Sequence, residues 1–293
     1  MLAMKMLPVL MLLVLPCLAA EEIMTQPAPQ TEAVDIMTMN QDARCHQVVV
    51  TCLVNGVPMR MMLDTGATHT VMHEESAARV PQAHWIDTSK MNFRGNSTQR
   101  PKLLLAHLQT GPADSEKHPV MVMNLGAVRS RMAEPIDGII GMDLLGQVPF
   151  TFDMRRKVCY WGVPTEGEMV PLYAAPDGTG RFIVQARCQG KPVLMLLDTG
   201  SSVTRVVSGE WAPGQGGEIG AQMGDIDSAA GITVVEGKPG DLELGPGVSV
   251  QGVTPILGSE NDVPLLGMDG LNGAVLIHVP TEESPAGAFF LLK

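Results

Sequence analysis

Short apolar runs separated by turn residues dominate the chain. Val48 to Val54 is rich in β-branched residues and ends at Asn55-Gly56, and Met59 to Leu63 runs back from it, which predicts a hairpin. Phe182 to Cys188, Gln189-Gly190 and Val193 to Leu197 repeat that design. A further hairpin is expected from Met169 to Ala174, turning at Pro176-Asp177-Gly178. Helical signals are few. Glu74 to Arg79 reads as one short helix, and Met142 to Gly146 as one turn capped by Asp143, with Asp269 in the matching place. The pattern is that of an all-β chain.

The same pattern occurs twice. Residues 56–66, Gly-Val-Pro-Met-Arg-Met-Met-Leu-Asp-Thr-Gly, are echoed by residues 190–200, Gly-Lys-Pro-Val-Leu-Met-Leu-Leu-Asp-Thr-Gly, at an offset of 134. Downstream, Ile139-Ile140-Gly141-Met142-Asp143 is echoed by Leu265-Leu266-Gly267-Met268-Asp269 at an offset of 126, so the first copy carries eight more residues between its motifs. The copies span 34–163 and 168–293. Ahead of them, Lys5 and an apolar run from Met6 to Leu18 ending in Ala19-Ala20 predict a secretory signal over 1–20, followed by a segment over 21–33. That run is too short to span a bilayer, which takes about 20 residues. Lipidation at Cys17, which follows Pro16, and retention as an anchor are the alternatives. The expected location is secreted or periplasmic, with no membrane span after cleavage.

Composition narrows the class. The 31 Gly and 22 Pro residues among 293 favour turns over long helices. A net charge of −11, with no basic run longer than Arg155-Arg156-Lys157, argues against a nucleic-acid partner. The 21 Met residues suit an adaptable core. An exported chain can form disulfides. Cys45 with Cys159 is the favoured pair, while Cys52 and Cys188 sit in apolar runs and read as buried thiols. His69 and His73 lack a third partner, so no metal is expected; nor is a cofactor. Glu74-Glu75 read as a solvated helix face, and Asp137 and Asp153 as loop or strand-end carboxylates. Asn96-Ser97-Thr98 matches a glycosylation acceptor, relevant only in a eukaryotic secretory route.

Two Asp-Thr-Gly triplets carry the candidate chemistry. Each follows an apolar strand, where a carboxylate is costly unless it is hydrogen-bonded or put to use. Taken alone, either triplet is good turn chemistry; in duplicate, within a tandem repeat, the pair points to one shared site. Asp64-Thr65-Gly66-Ala67-Thr68 and Asp198-Thr199-Gly200-Ser201-Ser202 resemble the active-site loops of aspartic proteases, and Ile139-Ile140-Gly141 and Leu265-Leu266-Gly267 resemble the family's second motif. The length of each copy is similar to retropepsin-like domains, and neither copy has the Trp that follows the first triplet in pepsins.

The resemblance implies two tandem retropepsin-like β-barrel lobes forming an intramolecular pseudo-dimer. Asp64 and Asp198 would be its catalytic pair, with Thr65, Gly66, Ala67, Thr199, Gly200 and Ser201 supporting the loops. The threonine hydroxyls would bond across to the opposite loop. Two close carboxylates share one proton, so one acts as base on a water and the other as acid on a peptide carbonyl. The resemblance also implies substrate-covering hairpins, near Phe93 to Gln99 in the first copy and Gly224 to Gly231 in the second, neither with a Tyr at its tip. It further implies that a Ser201 hydroxyl donates to Asp198, which Ala67 cannot do for Asp64, making Asp198 the charged member; Thr68 or backbone amides are competing donors. The expected partner is a peptide or protein substrate, and the expected state a monomer. Two other readings remain open: a non-catalytic peptide-binding module on the same fold, and halves that each dimerise with another chain.

Overall fold

The computed structural model describes residues 34–38, 46–87, 102–130, 132, 134–172, 174–176, 180–221, 232–259, 262–281 and 287–293. Strands dominate, and each helix among these residues is a single turn, so the fold is all-β as expected. Both repeated hairpins form, His46–Val54 with Val57–Leu63 and Phe182–Cys188 with Lys191–Leu197. Their turn residues have positive φ, 47° and 80° at Asn55-Gly56 and 48° and 80° at Gln189-Gly190. That matches the tight turn which the twist of paired strands prefers.

In the first half six strands close into a barrel. His46–Val54 lies beside Val57–Leu63, then Gly138–Ile140, Val71–His73, Ala113–Met123 and Lys102–Thr110, which returns to His46–Val54. The second half repeats the order of neighbours and their senses. Lys191–Leu197 runs parallel to Leu265–Leu266, which is antiparallel to Arg205–Val207, itself parallel to Ile256–Gly258. Gly240–Gly245 returns to Phe182–Cys188. A further hairpin, Gln215–Ala221 with Ile232–Gly237, joins the edge of Ile256–Gly258.

Strands of both halves meet in one sheet. Phe150–Asp153 pairs with Val275–Val279, its counterpart in the repeat, and each carries an outer pair of strands: Val158–Trp161 and Val34–Thr38 on one side, Ala288–Leu292 and Met169–Pro171 on the other. Both halves feed one core, from Val48 and Phe150 to Phe182 and Leu291. Methionines fill it as expected: Met59, Met61, Met72, Met142, Met154, Met195 and Met268 are all buried.

Three expectations change. Met169–Pro171 leaves the predicted hairpin for the C-terminal strand; only Ala174–Pro176 pairs with Phe182–Cys188, because the outer place beside Ala288–Leu292 buries Val170. Cys159 is a free thiol, fully buried in the core, and burial pushes its pKa well up. Cys52 and Cys188 are free and buried, as read from the sequence, and burial raises Cys52 to about 11. Asp143 does not cap its helix; Gly141 holds the cap position, and the carboxylate is used elsewhere. The predicted signal and the segment after it, Cys45, both predicted covering hairpin tips and the Asn96 acceptor lie outside the described residues.

Candidate active site

Each triplet is delivered by a buried strand and anchored to the second motif of its own half. The Asp64 amide donates to Ile140 O and the Met142 amide to Ala67 O, at 3.0 and 2.8 Å. In the second half the Asp198 amide donates to Leu266 O and the Met268 amide to Ser201 O, at 3.0 and 2.9 Å. The apolar-apolar-Gly motifs thus do what their repetition suggests, holding the loops from beneath.

The two loops then lock to each other. The Thr65 amide donates to Thr199 Oγ1 at 3.0 Å, and the Thr199 amide to Thr65 Oγ1 at 3.1 Å. Thr65 Oγ1 donates to Leu197 O at 2.9 Å and Thr199 Oγ1 to Leu63 O at 3.1 Å. Both threonines are buried. Each hydroxyl therefore satisfies an amide and a carbonyl of the opposite half that would otherwise be buried unpaired, which costs about 1–3 kcal/mol per group.

This lock sets Asp64 and Asp198 side by side. Their side chains are within hydrogen-bonding reach of one another. Glycine is required where the loops cross: a methyl group on Gly66 would fall 2.5 Å from Asp198 Cγ, and one on Gly200 would overlap the Asp64 carboxylate. Asp64 Oδ1 accepts from the amides of Gly66 at 2.7 Å and Ala67 at 3.1 Å, and Asp198 Oδ1 accepts from Ser201 at 2.9 Å. Both residues are partly buried.

The two carboxylates are electrostatically unequal. Burial and then the charge of Asp198 push Asp64 well above the usual carboxylate range, against the pull of the Gly66 and Ala67 amides. Burial also raises Asp198, but the hydrogen bond from Asp64, the Ser201 and Gly200 amides and the Arg205 charge pull it back. The stronger upward push falls on Asp64, which favours that side for a proton shared by the pair. The donor expected from the sequence is not there: the Ser201 hydroxyl donates to Val203 O at 2.8 Å, not to Asp198. Each carboxylate takes amides from its own loop, so the asymmetry comes from the Asp64–Asp198 contact itself and from the Arg205 charge.

Three further groups support the loops, and repeat position could have flagged two of them. Thr70 and Thr204 lie six residues past each aspartate, and Asp143 and Asp269 two past each motif glycine. The Thr70 amide and hydroxyl donate to Asp143 at 2.9 and 2.7 Å, and those of Thr204 both donate to Asp269 at 2.6 Å. His118 adds a bond to Asp143 at 3.1 Å. Burial raises Asp143, but the bonds from His118 and Thr70 outweigh it and leave its pKa lowered. Gln47 carries no such signal, since position 181 in the repeat is Arg. It reaches from the first half to the second, where its Nε2 donates to Gly200 O at 2.8 Å and Ser202 Oγ at 3.2 Å.

The residues read as bland keep structural roles. Asp137 accepts from the Arg60 amide, Ser76 and Arg79, and Asp153 from the Arg155 and Arg156 amides. His73 Nδ1 accepts from the Leu125 amide, and His69 lies 3.9 Å from Asp143. Among the described residues no group of three or more His, Cys, Asp or Glu could hold a metal ion.

No curated protein matches the chain. Residues 50–144, from the strand before Asp64 to the helical turn holding Asp143, match the family model described as aspartyl protease, and this match supports an aspartyl protease of the retropepsin-like type.

Proposed function

We propose that the chain is an aspartic endopeptidase, with Asp64 and Asp198 as its catalytic pair and each half of a single chain giving one of them. The observation that carries this reading is the reciprocal threonine lock, which brings two carboxylates from halves 134 residues apart into one site. In the reaction, Asp198 takes a proton from a water held between the carboxylates while Asp64 gives its proton to the scissile carbonyl oxygen. The oxygen of that water attacks the carbonyl carbon. Collapse of the tetrahedral intermediate breaks the C–N bond, with Asp198 passing its proton to the leaving nitrogen and Asp64 recovering its own. The chemistry asks for no cofactor.

On this reading the working unit is a monomer of two retropepsin-like lobes forming an intramolecular pseudo-dimer. The paired central strands and the matched order of strands in the two halves support it. The N-terminal pattern supports export to the periplasm or the exterior, and no helix among the described residues is long and apolar enough to cross a membrane. Purified chain should hydrolyse denatured casein, eluting as a monomer, with pepstatin suppressing the cleavage. Peptide binding without any cleavage would favour the binding-module reading instead.

A further inference from the structure

The two halves differ on the sheet face beside the loops. In the first half, the strand after the loop sends Met72 into the barrel and Val71 to the other face. There Val71 neighbours Ile139, which neighbours Met62. Together with Ala67 of the active-site loop they form an apolar cluster covered by Leu125, Met132 and Ile136. The covering residues belong to the stretch between the motifs that is eight residues longer in this half.

The second half keeps the framework, but among the described residues no matching apolar cluster covers it, although Leu196 and Ile256 on that face are buried. Val206 points into the barrel, which leaves Arg205 in the position of Val71. Arg205 neighbours Leu265, which neighbours Leu196. Leu265 and Arg205 are partly exposed, and Val263 beside them is 53% exposed. The Arg205 Nε donates to Val263 O at 3.2 Å, and among the described residues no ion pair holds the guanidinium. Its charge reaches Asp198 on one side and Asp262 on the other, while Asp262 is engaged with the Ser259 amide and hydroxyl.

A face sealed by the protein's own side chains in one half is thus only partly covered, among the described residues, in the other, and its apolar surface carries a cation. We propose that this face is a substrate subsite for an acidic side chain, with Arg205 pairing the carboxylate and Leu265 and Val263 receiving the aliphatic stem. An arginine suits the task because it presents fixed, forked donors to a carboxylate. The overall charge of −11 does not oppose it, since exposed charges are screened beyond about 10 Å at 0.1 M salt. The subsite would make the chain discriminate between charged substrates on one side of the scissile bond and stay indifferent on the other.

The inference rests on the peptidase reading but is tested apart from it. Labelled decapeptides carrying Glu, Gln or Lys at one position flanking a central apolar pair are titrated against the Asp64→Asn chain by fluorescence anisotropy, and the same peptides are offered to the parent chain for hydrolysis. At one position the Glu peptide should bind about tenfold tighter than the Lys peptide, a preference that weakens with salt. Arg205→Lys should keep the preference, Arg205→Val should bring the two within about twofold, and Arg205→Glu should invert it. Equal binding of Glu and Lys peptides at every position, no binding at all, or a preference untouched by Arg205→Val and Arg205→Glu would overturn the subsite. A preference that follows Arg205 without hydrolysis by the parent chain would sustain the subsite and sink the peptidase. Hydrolysis with no dependence on charge would do the reverse.

Discussion

Asp64 and Asp198 sit on backbones that are nearly interchangeable. Each amide is tied to the second motif of its own half, each threonine crosses to the other half, and each loop is backed by a Thr–Asp pair. Around that backbone the halves diverge. Two loop amides, Gly66 and Ala67, serve Asp64, and Ala67 of its loop packs on an apolar cluster. Asp198 has Arg205 within electrostatic range, and its loop is gripped by Gln47 from the first half. The comparison teaches that the repeat supplies a symmetric scaffold, while the electrostatic difference between the two aspartates involves residues that the repeat does not share, Arg205 among them. Two identical carboxylates in contact need such a difference to favour one proton position.

The comparison can be broken most severely at the crossing glycines. Gly200→Ala places a methyl group on the Asp64 carboxylate and forces the loops apart, so kcat/KM should fall at least about 100-fold. A variant of near-normal turnover would show that the loops need not approach so closely.

Next comes the lock. Thr65→Val leaves Leu197 O and the Thr199 amide buried without partners, and unfolding in urea should report a loss of about 2–3 kcal/mol. Thr199→Val should cost a similar amount, because its bonds mirror those of Thr65. Unequal losses would show that the scaffold is less symmetric than its hydrogen bonds.

A smaller effect is expected at Asp143, whose folded pKa lies below the unfolded value of about 3.9. Such a group stabilises the fold above its unfolded pKa and loses that contribution as pH falls through the folded one. Asp143→Asn should therefore cost about 1–2 kcal/mol at pH 7, with the gap to the parent closing below about pH 4. A gap independent of pH would remove the charge from the explanation. The smallest effect is expected from Ser201→Ala. Because its hydroxyl serves Val203 O, the acid limb of the pH–activity profile should stay in place and kcat/KM should change by less than about twofold.

What the sequence made legible was whatever recurs. The hairpins at Asn55-Gly56 and Gln189-Gly190, the paired triplets and the anchoring second motifs all follow from local turn chemistry or from a fixed offset. The chain-order partners of Met169–Pro171 did not, because outer-strand pairing in the central sheet is decided by long-range burial. Local propensity places the Asp143 carboxylate at the nearest helix end, whereas the tertiary contact with Thr70 prevails. Gln47 left no trace, being a single polar residue at the start of an apolar strand whose partner lies 153 residues away. The Ser201 hydroxyl departs from expectation for a related reason: a carbonyl two residues on competes with the carboxylate, and that competition is settled by geometry alone.

The central claim is that one chain holds one site made from both aspartates, and the most direct measurement is peptidase activity of Asp64→Asn and Asp198→Asn, each purified and compared with the parent at equal concentration. A shared acid–base pair predicts that either substitution alone removes nearly all turnover, a loss of about 100-fold or more, because neither carboxylate can replace the other on the same water. Retention of about half the parent activity by either variant, as two independent sites would give, would contradict the account.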